Sequence, residues 1–213
     1  MRKIRSSILL LLISTLSASS QENDFQTWHS LSVKKKGIHK IDMTFRSGLR
    51  LRENSSLYSK RFFDIKFKKR INKKISLAGG FRYITNWSNE CKTTKTRRFY
   101  SDINYKKKLV KRLSYSIRNR FQSQGNIYAK KISFRQKISF TYNVRKTKLT
   151  PNIATEYFLN AEGMFNKLRS TVSVAYPISK NLDIDLAYRI QQEFYTNNPE
   201  TLFIFEGKIL YDL

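Results

Sequence analysis

Cysteine is nearly missing from this sequence: Cys91 stands alone among 213 residues, so no internal disulfide can form. Histidine is almost as scarce, and His29 and His39 are too few for a Cys/His zinc site. Seven glycines and three prolines exclude a linker-like or low-complexity chain. Acidic residues number 15 against 42 lysines and arginines, a formal charge of +27. Yet 40 % of the residues are hydrophobic and 14 % aromatic, enough apolar surface for the chain to fold despite that charge. The length suits one large domain. Long apolar runs are missing too. The one that stands out, Ile8 to Leu16, falls well short of the roughly 18 residues a helical membrane span needs.

That run reads as an export signal. The basic stretch Met1-Arg2-Lys3-Ile4-Arg5 precedes it and the small residues Ala18-Ser19-Ser20 follow, giving an n-region, an h-region and a cleavage site. A cleaved signal peptide is expected over residues 1–20, with the mature chain, residues 21–213, starting at Gln21. No cysteine follows the cut, so a lipid-modified N-terminus is not expected. Cleavage removes Arg2, Lys3 and Arg5 and leaves a strongly basic chain.

Beyond Ser20 the hydrophobic pattern has period two, the signature of strands with one apolar face. Between His39 and Leu51, Ile41, Met43, Phe45, Leu49 and Leu51 alternate with Lys40, Asp42, Thr44, Arg46 and Arg50. The pattern recurs as Phe63/Ile65/Phe67 against Asp64/Lys66/Lys68, and as Leu113/Tyr115/Ile117/Phe121 against Ser114/Ser116/Arg118/Arg120. The last runs are Leu182/Ile184/Leu186/Tyr188/Ile190 and Phe203/Phe205/Ile209/Tyr211/Leu213. Ten strong strands of about 9–13 residues result, the length a tilted strand needs to cross a bilayer. Basic turns near residues 71–74, 107–108, 147–148 and 179–181 take turns with loops of more variable sequence near 53–56, 86–96, 122–128, 160–167 and 195–200. This is an up-and-down meander.

Residues 21–37 fit less well, with His29, Leu31 and Val33 on one parity and Trp28 on the other. Counting them gives eleven strands where a one-chain antiparallel barrel is expected to be even-numbered. The segment is read as a partial first strand or a periplasmic arm beside ten strands, with a range of 10–12.

The fold class expected is therefore all-β, a transmembrane up-and-down antiparallel β-barrel. A secreted basic β-sandwich binding polyanions, nucleic acid or acidic polysaccharide, would show similar alternation and stands as the alternative. The export signal, the strand length and the near-absence of charge on the apolar faces favour the barrel. Aromatics toward strand ends, Tyr105, Tyr142, Tyr176 and Tyr211 at the turns and Tyr83, Phe121, Tyr157 and Phe203 at the loops, fit two interfacial girdles. The charged faces would then line the lumen. Its basic candidates are Arg46, Arg50, Lys66, Arg82, Arg118, Arg120, Arg135, Lys137, Arg169 and Arg189, facing the acids Asp42, Asp64, Asp102, Glu156, Asp183 and Asp185. A net positive interior favours anions over cations.

Several short motifs add a resemblance. Trp28, Asn72-Lys73-Lys74, Gly79-Gly80-Phe81-Arg82-Tyr83, Arg98-Phe99-Tyr100-Ser101-Asp102, Lys148-Leu149-Thr150-Pro151, Tyr188-Arg189-Ile190-Gln191 and Asn197-Asn198-Pro199-Glu200-Thr201 resemble the outer-membrane proteins grouped as domain of unknown function 2490 (DUF2490). The resemblance spans nearly all of the mature chain. It implies a bacterial outer-membrane β-barrel, of a kind common in Bacteroidota, and no activity. Gly207 to Leu213 keep the alternation of an insertion signal, with Leu213 where an aromatic is usual.

An enzyme is not expected. Hydrolytic chemistry in a barrel needs a base, usually His, and His29 and His39 fall in the uncertain first segment and at a turn. Asp183, Asp185 and Glu193 share a parity and read more simply as lumen ion pairs than as a metal or acid site. No catalytic residue, cofactor or metal is assigned, and Cys91 reads as a loop thiol. The partners expected are outer-membrane lipid, the outer-membrane assembly machinery, and anionic headgroups or cell-wall polymer at basic turns such as Lys73-Lys74 and Lys106-Lys107-Lys108. Nucleic acid is not expected to reach an exported barrel. The reading is an outer-membrane barrel with a structural role or a narrow, anion-favouring channel.

Overall fold

Side chains that alternate apolar and charged form strands because a pleated strand sends successive residues to opposite faces. The computed structural model describes residues 22–37, 40–88, 92–126, 128–196 and 198–213. The export signal, His39 and Cys91 lie outside those residues. Eleven strands follow one another: β1 (Glu22–Lys36), β2 (Ile41–Arg52), β3 (Leu57–Arg70), β4 (Ile75–Trp87), β5 (Thr93–Lys108), β6 (Leu113–Gly125), β7 (Lys130–Tyr142), β8 (Thr150–Asn160), β9 (Phe165–Pro177), β10 (Leu182–Glu193) and β11 (Glu200–Asp212). Each pairs with its sequence neighbours, and β1 also pairs with β11, so one sheet closes into a barrel. The sandwich alternative needs two stacked sheets and is not formed.

Strand length matches a membrane. The 13 residues of β4, tilted by about 45°, rise about 30 Å, the thickness of a bilayer core.

The closure departs from the even-numbered expectation. β1 pairs with β2 antiparallel, from Thr27 opposite Leu51 to Lys36 opposite Asp42. It pairs with β11 in parallel, from Glu22 opposite Glu200 to Lys34 opposite Asp212. The segment read as a partial strand or periplasmic arm is thus a full 15-residue strand. A meander with an odd number of strands brings its first and last strands together pointing the same way, and the parallel seam is that consequence.

Burial is inverted relative to a soluble protein. Asp64, Asp102 and Glu156 are 5 %, 4 % and 4 % exposed, whereas Phe99, Ile132 and Ile153 are 61 %, 62 % and 61 % exposed. Charge turns in and apolar surface turns out, the arrangement that a lipid solvent selects. Inside, Trp28, Leu202 and Ile204 form a small apolar cluster beside the seam.

Two glycines let aromatic rings lie flat against the inner wall. A Cβ on Gly48 would stand 2.4 Å from the Phe62 ring, and one on Gly80 would stand 2.4 Å from the Tyr100 ring and 2.8 Å from the Ile65 carbonyl oxygen. At the ends, Asn72 closes the β3–β4 turn by accepting the amides of Lys74 and Ile75 at 2.8 and 2.7 Å.

Candidate functional site

The inward faces of the strands enclose a cavity of about 810 Å³, lined by fifteen lysines and arginines and six acids. Alternation puts those groups there: each inward residue is flanked by outward residues facing the apolar side, so the charged faces have only the interior to occupy.

Three clusters of ion pairs organise it. In the first, Arg82 Nε donates to Asp64 Oδ1 at 2.9 Å and the Tyr100 hydroxyl donates to both Asp64 oxygens at 3.1 Å. Close by, Arg120 grips Asp102 with two bonds, Nε to Oδ1 at 2.6 Å and Nη2 to Oδ2 at 2.8 Å, the bidentate geometry that suits guanidinium to carboxylate. In the second cluster Glu156 holds three arginines. Oε1 accepts from Arg118 at 2.6 Å and Arg135 at 2.8 Å, and Oε2 accepts from Arg169 at 3.3 Å. The third joins Glu206 to Arg189 and Lys208, with Lys208 Nζ also 3.3 Å from Asp185 Oδ1.

Aromatic faces carry part of the cationic load. The Arg50 guanidinium lies 3.6 Å from the Trp28 ring centroid, and Arg169 lies 5.2 Å from the same ring. Arg82 covers Phe62 at 4.2 Å, Arg120 covers Tyr100 at 3.9 Å, and Arg135 covers Phe158 at 4.3 Å. Such stacking holds a guanidinium in place without neutralising it.

All ten basic residues singled out in the sequence, Arg46, Arg50, Lys66, Arg82, Arg118, Arg120, Arg135, Lys137, Arg169 and Arg189, line this cavity. Of the acids, Asp64, Glu156, Asp183 and Asp185 line it, Asp102 is engaged by Arg120, and Asp42 lies 3.8 Å from Arg70 toward the turn end. Asp185 and Glu193 are ion-paired with Lys208 and Lys167 rather than with each other. His29 points outward from β1 and is exposed. The sequence list omitted Lys60, Arg98, Lys131, Lys167 and Lys208, which also line the cavity. Extending each strand's alternation would have reached them: Lys60 shares parity with Asp64, Arg98 with Asp102, and Lys208 with Glu206.

The chemistry on offer is electrostatic. Among the described residues, Arg50, Lys60, Lys66 and Lys137 face the cavity without an ion pair or hydrogen bond to a carboxylate. Their positive charge is not neutralised by a paired carboxylate.

A closed barrel with an apolar outer wall and a cationic interior is the architecture of a porin-like β-barrel. The chain belongs to the family described as Protein of unknown function (DUF2490), whose model it matches over residues 25–201. Solved structures with a similar fold include a KdgM porin, at 11 % identity and a TM-score of 0.53 over 79 % of this chain and 91 % of that one. A KdgM porin in complex with disordered oligogalacturonate aligns at 12 % identity and a TM-score of 0.50, with the same shares covered. A NanC porin in a rhombohedral crystal form aligns at 11 % identity and a TM-score of 0.53 over 84 % of this chain and 93 % of that one. No curated protein matches the sequence.

Proposed function

We propose that this protein is an outer-membrane channel of narrow bore that favours anionic solutes. The observation that carries the reading is the interior charge: among the described residues, fifteen basic groups against six acidic ones around the cavity inside the barrel. Walls of low dielectric focus that field and raise the local concentration of anions over cations. The residues divide the work. Glu156, Asp64 and Asp102 fix the arginines that brace the wall, while Arg50, Lys60, Lys66 and Lys137 keep charge with no paired carboxylate for the solute.

The porin neighbours support the outer-membrane channel, and the oligogalacturonate in one of them is a polycarboxylate of the class such a lumen attracts. An eleven-stranded barrel leaves room for little more than its own side chains and a file of small solutes, so the channel is read as narrow. The rim carrying Lys73 and Lys74 is assigned to the periplasm and the opposite rim, with the connections at 53–56 and 161–164, to the outside. There the basic turns meet anionic headgroups or acidic cell-wall polymer. In a Cys91→Ser background on intact cells, an impermeant thiol reagent should label a cysteine at Glu162 and spare one at Lys73, and the opposite pattern would reverse the orientation.

Flux through proteoliposomes tests the function. A small sugar acid should enter faster than a neutral sugar of the same size. Equal or slower entry of the acid would defeat the proposal.

A further inference from the structure

The outer wall is not uniformly filled. A groove of about 790 Å³ crosses it over the β1–β11 seam, reaching from β10 to the loop ends of β3 and β4. It exists because outward positions there are small. Gly207 stands opposite His29 across the seam, and Ser47 stands opposite Leu31 on the other side of β1, so neither fills the surface between the larger side chains around them. The floor is apolar, with Leu31, Leu49, Ile184 and Leu186, and no Asp or Glu lines it.

At the loop end of the groove stands Arg61, on the apolar face of β3 and exposed. Its guanidinium lies 4.9 Å from the Phe63 ring, and among the described residues it has no ion pair or hydrogen bond. A cation on the lipid face costs about 2–4 kcal/mol at the bilayer midplane and close to nothing at the interface. Arg61 sits beside Tyr58 and Trp87, whose rings are 6.1 Å apart and which mark that interface. Register carries the positive strip onward: Thr85 is opposite both Arg61 and Lys95, and Arg97 is opposite Tyr83.

An apolar trough headed by an unpaired guanidinium at the interface is complementary to one occupant, a bilayer lipid with a phosphate headgroup. We propose that this groove is a binding site for an anionic lipid, one acyl chain lying over Gly207 and Ser47 and the phosphate held by Arg61. The guanidinium fork fits phosphate oxygens in a way a lysine would not. This inference rests on the membrane-spanning reading and adds to it a specific lipid contact.

The molecule supplies its own reporter. It has two tryptophans, Trp28 buried inside the barrel and Trp87 at the groove. The barrel would be reconstituted into vesicles holding a fraction of brominated phosphatidylglycerol or, separately, brominated phosphatidylcholine, and tryptophan quenching measured. A control carries Trp87→Phe with Ile132→Trp, moving the reporter to the outward face of β7. The expected result is about fivefold stronger apparent binding of the anionic lipid at Trp87, the preference one arginine confers near a membrane surface, and none at position 132. Arg61→Gln should remove the preference. Gly207→Leu should weaken quenching by both lipids at Trp87, because a Cβ there meets only His29 Nδ1, at 3.8 Å, and the wall itself is undisturbed. Equal quenching by the two lipids at Trp87 would overturn the site and leave the membrane reading intact. Quenching at position 132 but not at Trp87 would mean that another copy of the chain covers the groove, and overturns the proposal. Absence of quenching at both positions would overturn the membrane reading together with it.

Discussion

The guanidinium of Arg50 lies 3.6 Å above the ring of Trp28, linking β2 to β1 on the inner face of the barrel. Among the described residues its buried Nε has no hydrogen-bond partner and no carboxylate pairs with it, so Trp28 fixes the group without neutralising its charge. Arg50 is therefore the clearest case of a lumen cation positioned for a solute rather than for the wall.

Replacing Arg50 with Gln should lower the chloride-over-potassium permeability ratio by about two- to fivefold, since one charge at about 4 Å in a water-like medium is worth about 1 kcal/mol. Thermal stability should barely change. An unchanged ratio in single-channel recordings would remove Arg50 from the conduction path.

Glu156 has the opposite role. It is the shared acceptor for Arg118, Arg135 and Arg169, so Glu156→Gln leaves the buried Arg135 and Arg169 and the half-buried Arg118 without their counter-charge. Breaking a buried pair from one side costs about 3–5 kcal/mol. The urea midpoint for unfolding from detergent micelles should drop accordingly, and a midpoint equal to wild type would show that the cluster does not stabilise the barrel.

The inner-wall glycines give a stability test with an internal control. A Cβ on Gly80 collides with the Tyr100 ring and the Ile65 carbonyl oxygen, whereas one on the adjacent Gly79 meets nothing nearer than the Tyr100 carbonyl oxygen at 4.0 Å. Gly80→Ala should cost roughly 1–3 kcal/mol, as overpacking does, and Gly79→Ala should lie within about 0.5 kcal/mol of wild type. Heat-modifiability on gels reads both, and equal behaviour would contradict the packing of Tyr100 on Gly80.

Much of this was legible in the sequence because parity decides the face. Once Phe99 and Ile103 were outward, Asp102 had to be inward, and the same step placed Arg118, Arg120 and Arg135 in the lumen. Parity does not decide partners. Register sets Lys137 and Arg169 directly opposite Glu156, yet its carboxylate pairs with Arg169, the diagonal Arg135 and Arg118 two strands away rather than with Lys137. That depends on side-chain length and barrel curvature, which no strand pattern carries. β1 was obscure for another reason. Its two faces hold Gln26, Ser30 and Ser32 against Thr27, His29 and Leu31, a weak contrast, and its pairing with β11 is fixed by closure of the whole sheet.

The seam is open to direct test. In a Cys91→Ser background, cysteines at Thr27 and Phe205, directly opposite and on the same outward face, should form a disulfide under mild oxidant, since paired strands bring Cα atoms within about 5–6 Å. Failure of this pair to cross-link would contradict the eleven-stranded closure.

The reversal potential of the purified protein in a planar bilayer, under a tenfold potassium chloride gradient, bears most directly on the central claim. A lumen with fifteen basic and six acidic groups should give a potential displaced toward the chloride equilibrium value, with the displacement reduced in the Arg50→Gln channel. A potential displaced toward the potassium value, or a barrel inserted in the bilayer that carries no current, would contradict it.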